Sequence, residues 1–168
     1  MTMPRQAGFT LPELLIILAL LVLVALVAVP AFGDLQEHTR QQSIRDELKV
    51  SLLAARTRAI SRLRDVELCA SRDSQSCQKD WSSGWIMRDA KAQKVLRVTS
   101  LTEQGEPLRW IGSRSSILYR ANGTSPLSNG RFLQCIDDEV SWQLIINRQG
   151  RVREGNAQEN KTESRHCP

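Results

Sequence analysis

At 168 residues and 18.9 kDa the chain has room for one domain of ordinary size and little more, which excludes a multidomain enzyme. Charged residues make up 24% of it and aromatics 5%, so neither wholesale disorder nor a collagen-like or low-complexity class fits. The 23 basic and 18 acidic residues leave a net charge of +5, a mild lean toward anionic partners.

The first element is an uncharged run from Leu14 to Gly33, rich in Leu, Val and Ala. At about 1.5 Å per helical residue it reaches roughly 30 Å, the hydrocarbon thickness of a bilayer, and predicts one membrane span. A secretory signal peptide is the competing reading, because Arg5 precedes the run and Ala31-Phe32-Gly33 loosely imitates a cleavage site. Against it stand the length of the run and Glu13 at its start, where a signal peptide gains nothing from a carboxylate. Arg5 on the leading side keeps that end cytoplasmic and sends the bulk of the chain outward, giving a single-pass protein of the inner membrane with a periplasmic head.

From Asp34 to Leu63, Leu35, Ile44, Leu48, Leu52, Ala55, Ala59 and Leu63 recur at helical spacing between charged residues. This amphipathic helix is expected to continue the membrane helix as one long element, bent where Pro30 interrupts it. After Asp65 the texture becomes short strands: Val66 to Ala70, Gly84 to Arg88, Val95 to Leu101, Leu108 to Ile111, Ile117 to Arg120, Phe132 to Ile136, Val140 to Ile146 and Arg151 to Glu154. Gly, Asn, Ser and Asp punctuate them. The expected class is α+β, a long N-terminal helix packed on a small antiparallel β-sheet head. The polar residues from Asn156 onward read as a tail that would be loose unless Cys167 is bridged.

Cys69, Cys77, Cys135 and Cys167 are even in number, fall in the exported part, and form no CxxC pair or zinc-like cluster. Disulfides are the reading. Three connectivities are possible, and proximity in sequence favours Cys69 with Cys77, leaving Cys135 to hold the tail through Cys167.

The most specific string is Gly8-Phe9-Thr10-Leu11-Pro12-Glu13 ahead of the apolar run. It resembles the processing site of type IV pilins and type II secretion pseudopilins. The resemblance implies a prepilin peptidase that cuts after Gly8 and methylates the new N-terminus at Phe9. It also implies that Glu13, fifth residue of the mature chain, pairs with the methylated amine of a neighbouring subunit. A carboxylate in a membrane is costly unless paired, and the competing role for Glu13 is to face the positive end of its own helix. Pro12 departs from the family's usual aliphatic residue, and is tolerated in a first helical turn. The divisions are then 1–8 leader, 9–33 membrane and assembly helix, 34–64 amphipathic helix, and 65–168 β-rich head with its disulfide-held tail.

Further along, Ala54 to Ile60 with Val66-Glu67-Leu68-Cys69, then Asp80 to Trp85 with Asp89, resemble the FimT/GspH group of minor pilins. Read from the residues, Ala55 and Ala59 let the helix approach a sheet closely, and Trp81 and Trp85 are expected as core anchors, with ligand stacking the competing role.

Arg148-Gln149-Gly150-Arg151-Val152-Arg153 follows a strong strand, with Asn147 to Gly150 as a hairpin turn. Alternation puts Arg151 and Arg153 on one face, about 7 Å apart, with Arg148 in the loop, which suits neighbouring backbone phosphates. The string resembles the GRxR motif of DNA-binding FimT proteins; the competing reading is a solubilising edge. Between Glu106 and Asp137 the chain has no acid but carries Arg109, Arg114, Arg120 and Arg131, which would extend a basic face if they lie near the hairpin.

Nothing supports catalysis or a cofactor. His38 lies on the polar side of the helix, His166 lies in the tail, and there is no Gly-rich phosphate loop. The resemblance implies a minor pilin that assembles with major and minor pilins into an extracellular pilus and binds DNA nonspecifically for uptake in natural transformation. Two alternatives stay open: a structural FimU-like subunit that primes or caps the pilus, and a GspH-like pseudopilin of type II secretion.

Overall fold

The computed structural model describes residues 11–102 and 106–167. Gly8 and Phe9 lie outside them. The chain divides into two compact units, Met1–Arg40 and Gln41–Pro168.

Helix α1 (Leu11–Arg62) is continuous over 52 residues, with Glu13 in its first turn. Within the first unit, Leu11–Val29 has a mean hydropathy of 2.9 and no buried residue, and is long and apolar enough to cross a membrane. Pro30 falls inside α1 without ending it.

In the second unit the helix turns one stripe inward. Ile44, Leu48, Leu52, Ala55 and Ala59 are buried, and the small Ala55 and Ala59 are fully covered. Leu63 ends the helix at φ 50°, a left-handed position usually taken by glycine, while the Arg64 amide donates to the Ala59 carbonyl at 3.2 Å. Leu63 is thereby 78% exposed rather than part of the stripe.

Among the described residues eight strands follow: β1 (Val66–Ala70), β2 (Gly84–Asp89), β3 (Val95–Ser100), β4 (Arg109–Gly112), β5 (Ser116–Tyr119), β6 (Gly130–Ile136), β7 (Glu139–Ile146) and β8 (Val152–Glu154). They form the expected antiparallel β head as two sheets of four, ordered β3-β2-β1-β5 and β4-β6-β7-β8. The strand order rests on long-range pairing: β1 adds β5 at its second edge, and β4 pairs with β6, choices that no local pattern encodes.

One core joins the helix stripe to both sheets. Trp81 and Trp85, each 1% exposed, lie in it with Leu68, Phe132, Leu144 and Ile146. Trp81 meets the Phe132 ring edge-on at 4.7 Å. Strand β7 shows the alternation that links core to surface. Trp142, Leu144 and Ile146 face inward, while Gln143 faces the other way, its amide donating to Asn160 Oδ1 and accepting from Arg131.

The C-terminal residues fold into α2 (Ala157–Glu163) and a 3₁₀ turn, Ser164–His166. Asn156 accepts from the Glu159 amide, and Glu159 accepts from the Asn156 amide, so a capping box starts this short helix. Disulfides join Cys69 to Cys77 and Cys135 to Cys167. The second ties the end of the 3₁₀ turn to β6, beside the small apolar cluster of Leu133, Cys135 and Val140.

Candidate nucleic-acid interface

The β7–β8 hairpin is closed by the Asn147 amide donating to the Arg151 carbonyl at 3.1 Å and by the Arg151 amide donating to Asn147 Oδ1 at 2.9 Å. Its returning strand begins at Val152, one residue later than the sequence suggested. Gly150 sits at φ 74°, and a Cβ there would lie 2.3 Å from the Gly123 carbonyl oxygen, so the turn rests against the β5–β6 loop at a distance only glycine permits. The Ser125 amide donates to the Arg148 carbonyl at 3.0 Å. From α1, Arg56 donates to the carbonyls of Gly123 and Gln149 at 3.0 and 3.3 Å, tying both loops to the helix.

With its backbone so held, the turn projects Arg148 and Arg151 into solvent, and neither makes an ion pair among the described residues. Arg153 differs. It is exposed, yet its guanidinium meets Glu159 end-on, Nη1 and Nη2 each donating to one carboxylate oxygen at 2.8 and 2.6 Å. The Glu159 carboxyl is lowered to about 2, chiefly by that bond and then by the Asn156 amide. Arg153 thus holds α2 in place, and two of the three arginines of the string are unencumbered.

The wider basic face narrows in the same way. Arg131 and Arg153 flank Ile145 as its cross-strand partners, and α2 supplies an acid to each, Glu163 to Arg131 at 2.9 Å and Glu159 to Arg153. Arg109 donates to the His166 carbonyl. Arg120 is exposed at the start of the loop that carries Ser125, beside the hairpin, and Arg114 follows β4 at the same end of the second sheet. Sequence reasoning missed Glu159 and Glu163 because the last residues read as tail. The signal was present in Asn156-Ala157-Gln158-Glu159, a capping-box spacing.

The family model of the type II transport protein GspH matches residues 45–150. The chain belongs to the GspH family. The prokaryotic N-terminal methylation motif matches residues 3–29, and with the apolar helix it fits a membrane-anchored pilin. The fold is that of the type IV minor pilin FimU of Pseudomonas aeruginosa strain PAO1 in two crystal forms. TM-scores are 0.56 and 0.53 at 23% identity, covering 76% of this chain and 91% and 96% of those chains. Among curated proteins no relative matches. Family and fold are those of structural pilin-like subunits rather than enzymes. The GspH-family match ends at Gly150, so Arg151, Arg153 and α2 lie beyond it.

The Arg153–Glu159 pair yields a prediction. Because the folded value of Glu159 lies below its ordinary 4.5, the stability it lends α2 is full above about pH 4.5 and is lost as pH falls toward 2. Glu159→Gln should remove that dependence, read as amide exchange in α2. It should also free the Arg153 guanidinium. Equal exchange in the parent and the variant across that pH range would refute the linkage.

Proposed function

We propose that this member of the GspH family is a minor pilin of a bacterial type IV pilus whose exported head binds DNA without sequence preference, for uptake in natural transformation. The observation that carries the reading is the rigid hairpin that presents Arg148 and Arg151 free of carboxylate partners among the described residues. Arginines so placed suit phosphate oxygens, and the turn brings no array of base-edge readers with them.

In this account a prepilin peptidase cuts after Gly8 and methylates Phe9. The single span then anchors the subunit in the inner membrane with its head outward, until it assembles with other pilins. Glu13 pairs there with the Phe9 amine of a neighbouring subunit. Glu13→Ala should leave insertion and processing intact, since the apolar run is unchanged, yet should keep the subunit out of sheared filaments, as blotted against the membrane fraction. Normal incorporation would reduce Glu13 to a helix-capping role.

A second reading is a purely structural subunit, of the FimU kind in a pilus or the GspH kind in type II secretion. It is favoured by the GspH family model and the likeness to FimU. Titration of duplex DNA with the full-length chain in nonionic detergent separates the two. The DNA reading expects a Kd in the nonspecific range of about 10⁻⁴–10⁻⁶ M that weakens with salt; the structural reading expects no saturable binding.

A further inference from the structure

The hairpin is one end of a longer row of unpaired cations. The β5–β6 loop that receives the Arg148 carbonyl begins at Arg120, whose amide donates back to Thr124 at 2.8 Å. The next residue, Ala121, donates its amide to Asp65 Oδ1 at 2.9 Å, at the junction of α1 and β1. The Asp65 carbonyl in turn accepts from the Ala90 amide, in the β2–β3 turn. Four connections of the head are therefore laced together at one end. Beyond them lies a cleft of about 590 Å³ lined by Arg58, Arg62, Arg64 and Lys94.

The acids of this end are half-buried and engaged. Asp65 accepts from the Ala121 amide, and Asp89, which also lines the cleft, accepts from the amides of Lys91 and Ala92 while Arg64 stands 3.7 Å away. Arg62, Lys94 and Arg120 are exposed and make no ion pair among the described residues.

We infer that the DNA contacted by the hairpin continues across this end of the head, over Arg120, to a second phosphate-binding cluster at Arg62 and Lys94. The inference rests on the DNA reading above and extends it. From β5 to β3 the first sheet is three strand gaps wide, about 14 Å, and the hairpin adds a further step. The row is thus about 20 Å long, comparable to six base pairs at 3.4 Å each, enough to engage several phosphates at once.

The test uses the full-length chain in nonionic detergent and a random-sequence duplex of about 25 base pairs, with affinity followed from 50 to 200 mM salt. Contacts through Arg148, Arg151, Arg120, Arg62 and Lys94 imply a slope near −4.5 and about a 500-fold loss over that range. The hairpin alone implies about −1.8 and about 12-fold. Arg62→Gln with Lys94→Gln should flatten the slope to about −2.7, and Arg148→Gln with Arg151→Gln should do the same. Lys79→Gln with Lys161→Gln removes two charges elsewhere and should leave the slope alone. Each variant is compared at equal melting temperature and with both disulfides formed. If the Arg62/Lys94 pair binds as the parent does while the hairpin pair is weakened, the second cluster is refuted and the hairpin reading stands. The second cluster is equally refuted if the Lys79/Lys161 control flattens the slope as much as the Arg62/Lys94 pair does. If the hairpin pair also binds as the parent does, or the parent does not bind, both fail.

Discussion

Arg148→Gln with Arg151→Gln is expected to remove the hairpin's share of DNA affinity, about 60-fold at 0.1 M salt. The figure follows from two phosphate contacts at about −0.9 each on the log–log salt plot, summed from 1 M, where the counterion contribution vanishes, down to 0.1 M. The substitutions should leave the fold unchanged. Both side chains are exposed, and the bonds that fix the turn belong to the backbone and to Asn147 and Arg56. Arg153→Gln should behave in the opposite sense: it takes away the partner of Glu159 and loosens α2, with little direct loss of DNA contact. An Arg153 variant that lost DNA as completely as the Arg148/Arg151 pair would show that its bond to Glu159 opens on binding.

The second large effect concerns stability. Cys135→Ala with Cys167→Ala is expected to destabilise the head by about 3–4 kcal/mol, from the entropy of closing a 32-residue separation. For a unit of this size the melting temperature would fall by about 10–15 °C. That is a large part of the roughly 5–15 kcal/mol that holds an ordinary domain together. The Cys69–Cys77 bridge closes a separation of only 8 and should matter less, about 2.5 kcal/mol. Differential scanning calorimetry of the two double variants gives both the size and the ranking. The Cys135/Cys167 variant also releases the end of α2, so DNA binding should survive in it below its melting point, with Arg153 more available. A fall of only two or three degrees would show that α2 is held by Arg131, Arg153 and the packing on β7 without help from the bridge.

The sequence exposed those parts of the molecule whose cause is local. The stripe from Ile44 to Ala59 follows from helical spacing, and the strands follow from short apolar runs between turn residues, so element positions agree to within about two residues. Leu35 and Leu63 shared the spacing but are exposed. Leu63 lies past the last helical turn in a left-handed conformation that periodicity does not reveal. What sequence could not supply was partnership across distance. Whether β1 takes β5 or another strand depends on contacts about fifty residues apart. The fate of each arginine turns instead on α2, which the polar C-terminal residues did not announce: Arg131 and Arg153 look as available as Arg148 and Arg151 until that helix brings Glu163 and Glu159 over them. The candidate site was thus legible as a hairpin with three arginines, while the division between two free side chains and one structural one required the fold.

DNA carriage by the head, as proposed, is read most directly from transformation frequency in a deletion strain complemented with either the parent or the Arg148→Gln/Arg151→Gln variant, with piliation counted in the same cells. Transformation should fall at least tenfold with the variant while pili remain as numerous. Transformation at the parental level with normal piliation would contradict it and leave the chain a structural subunit.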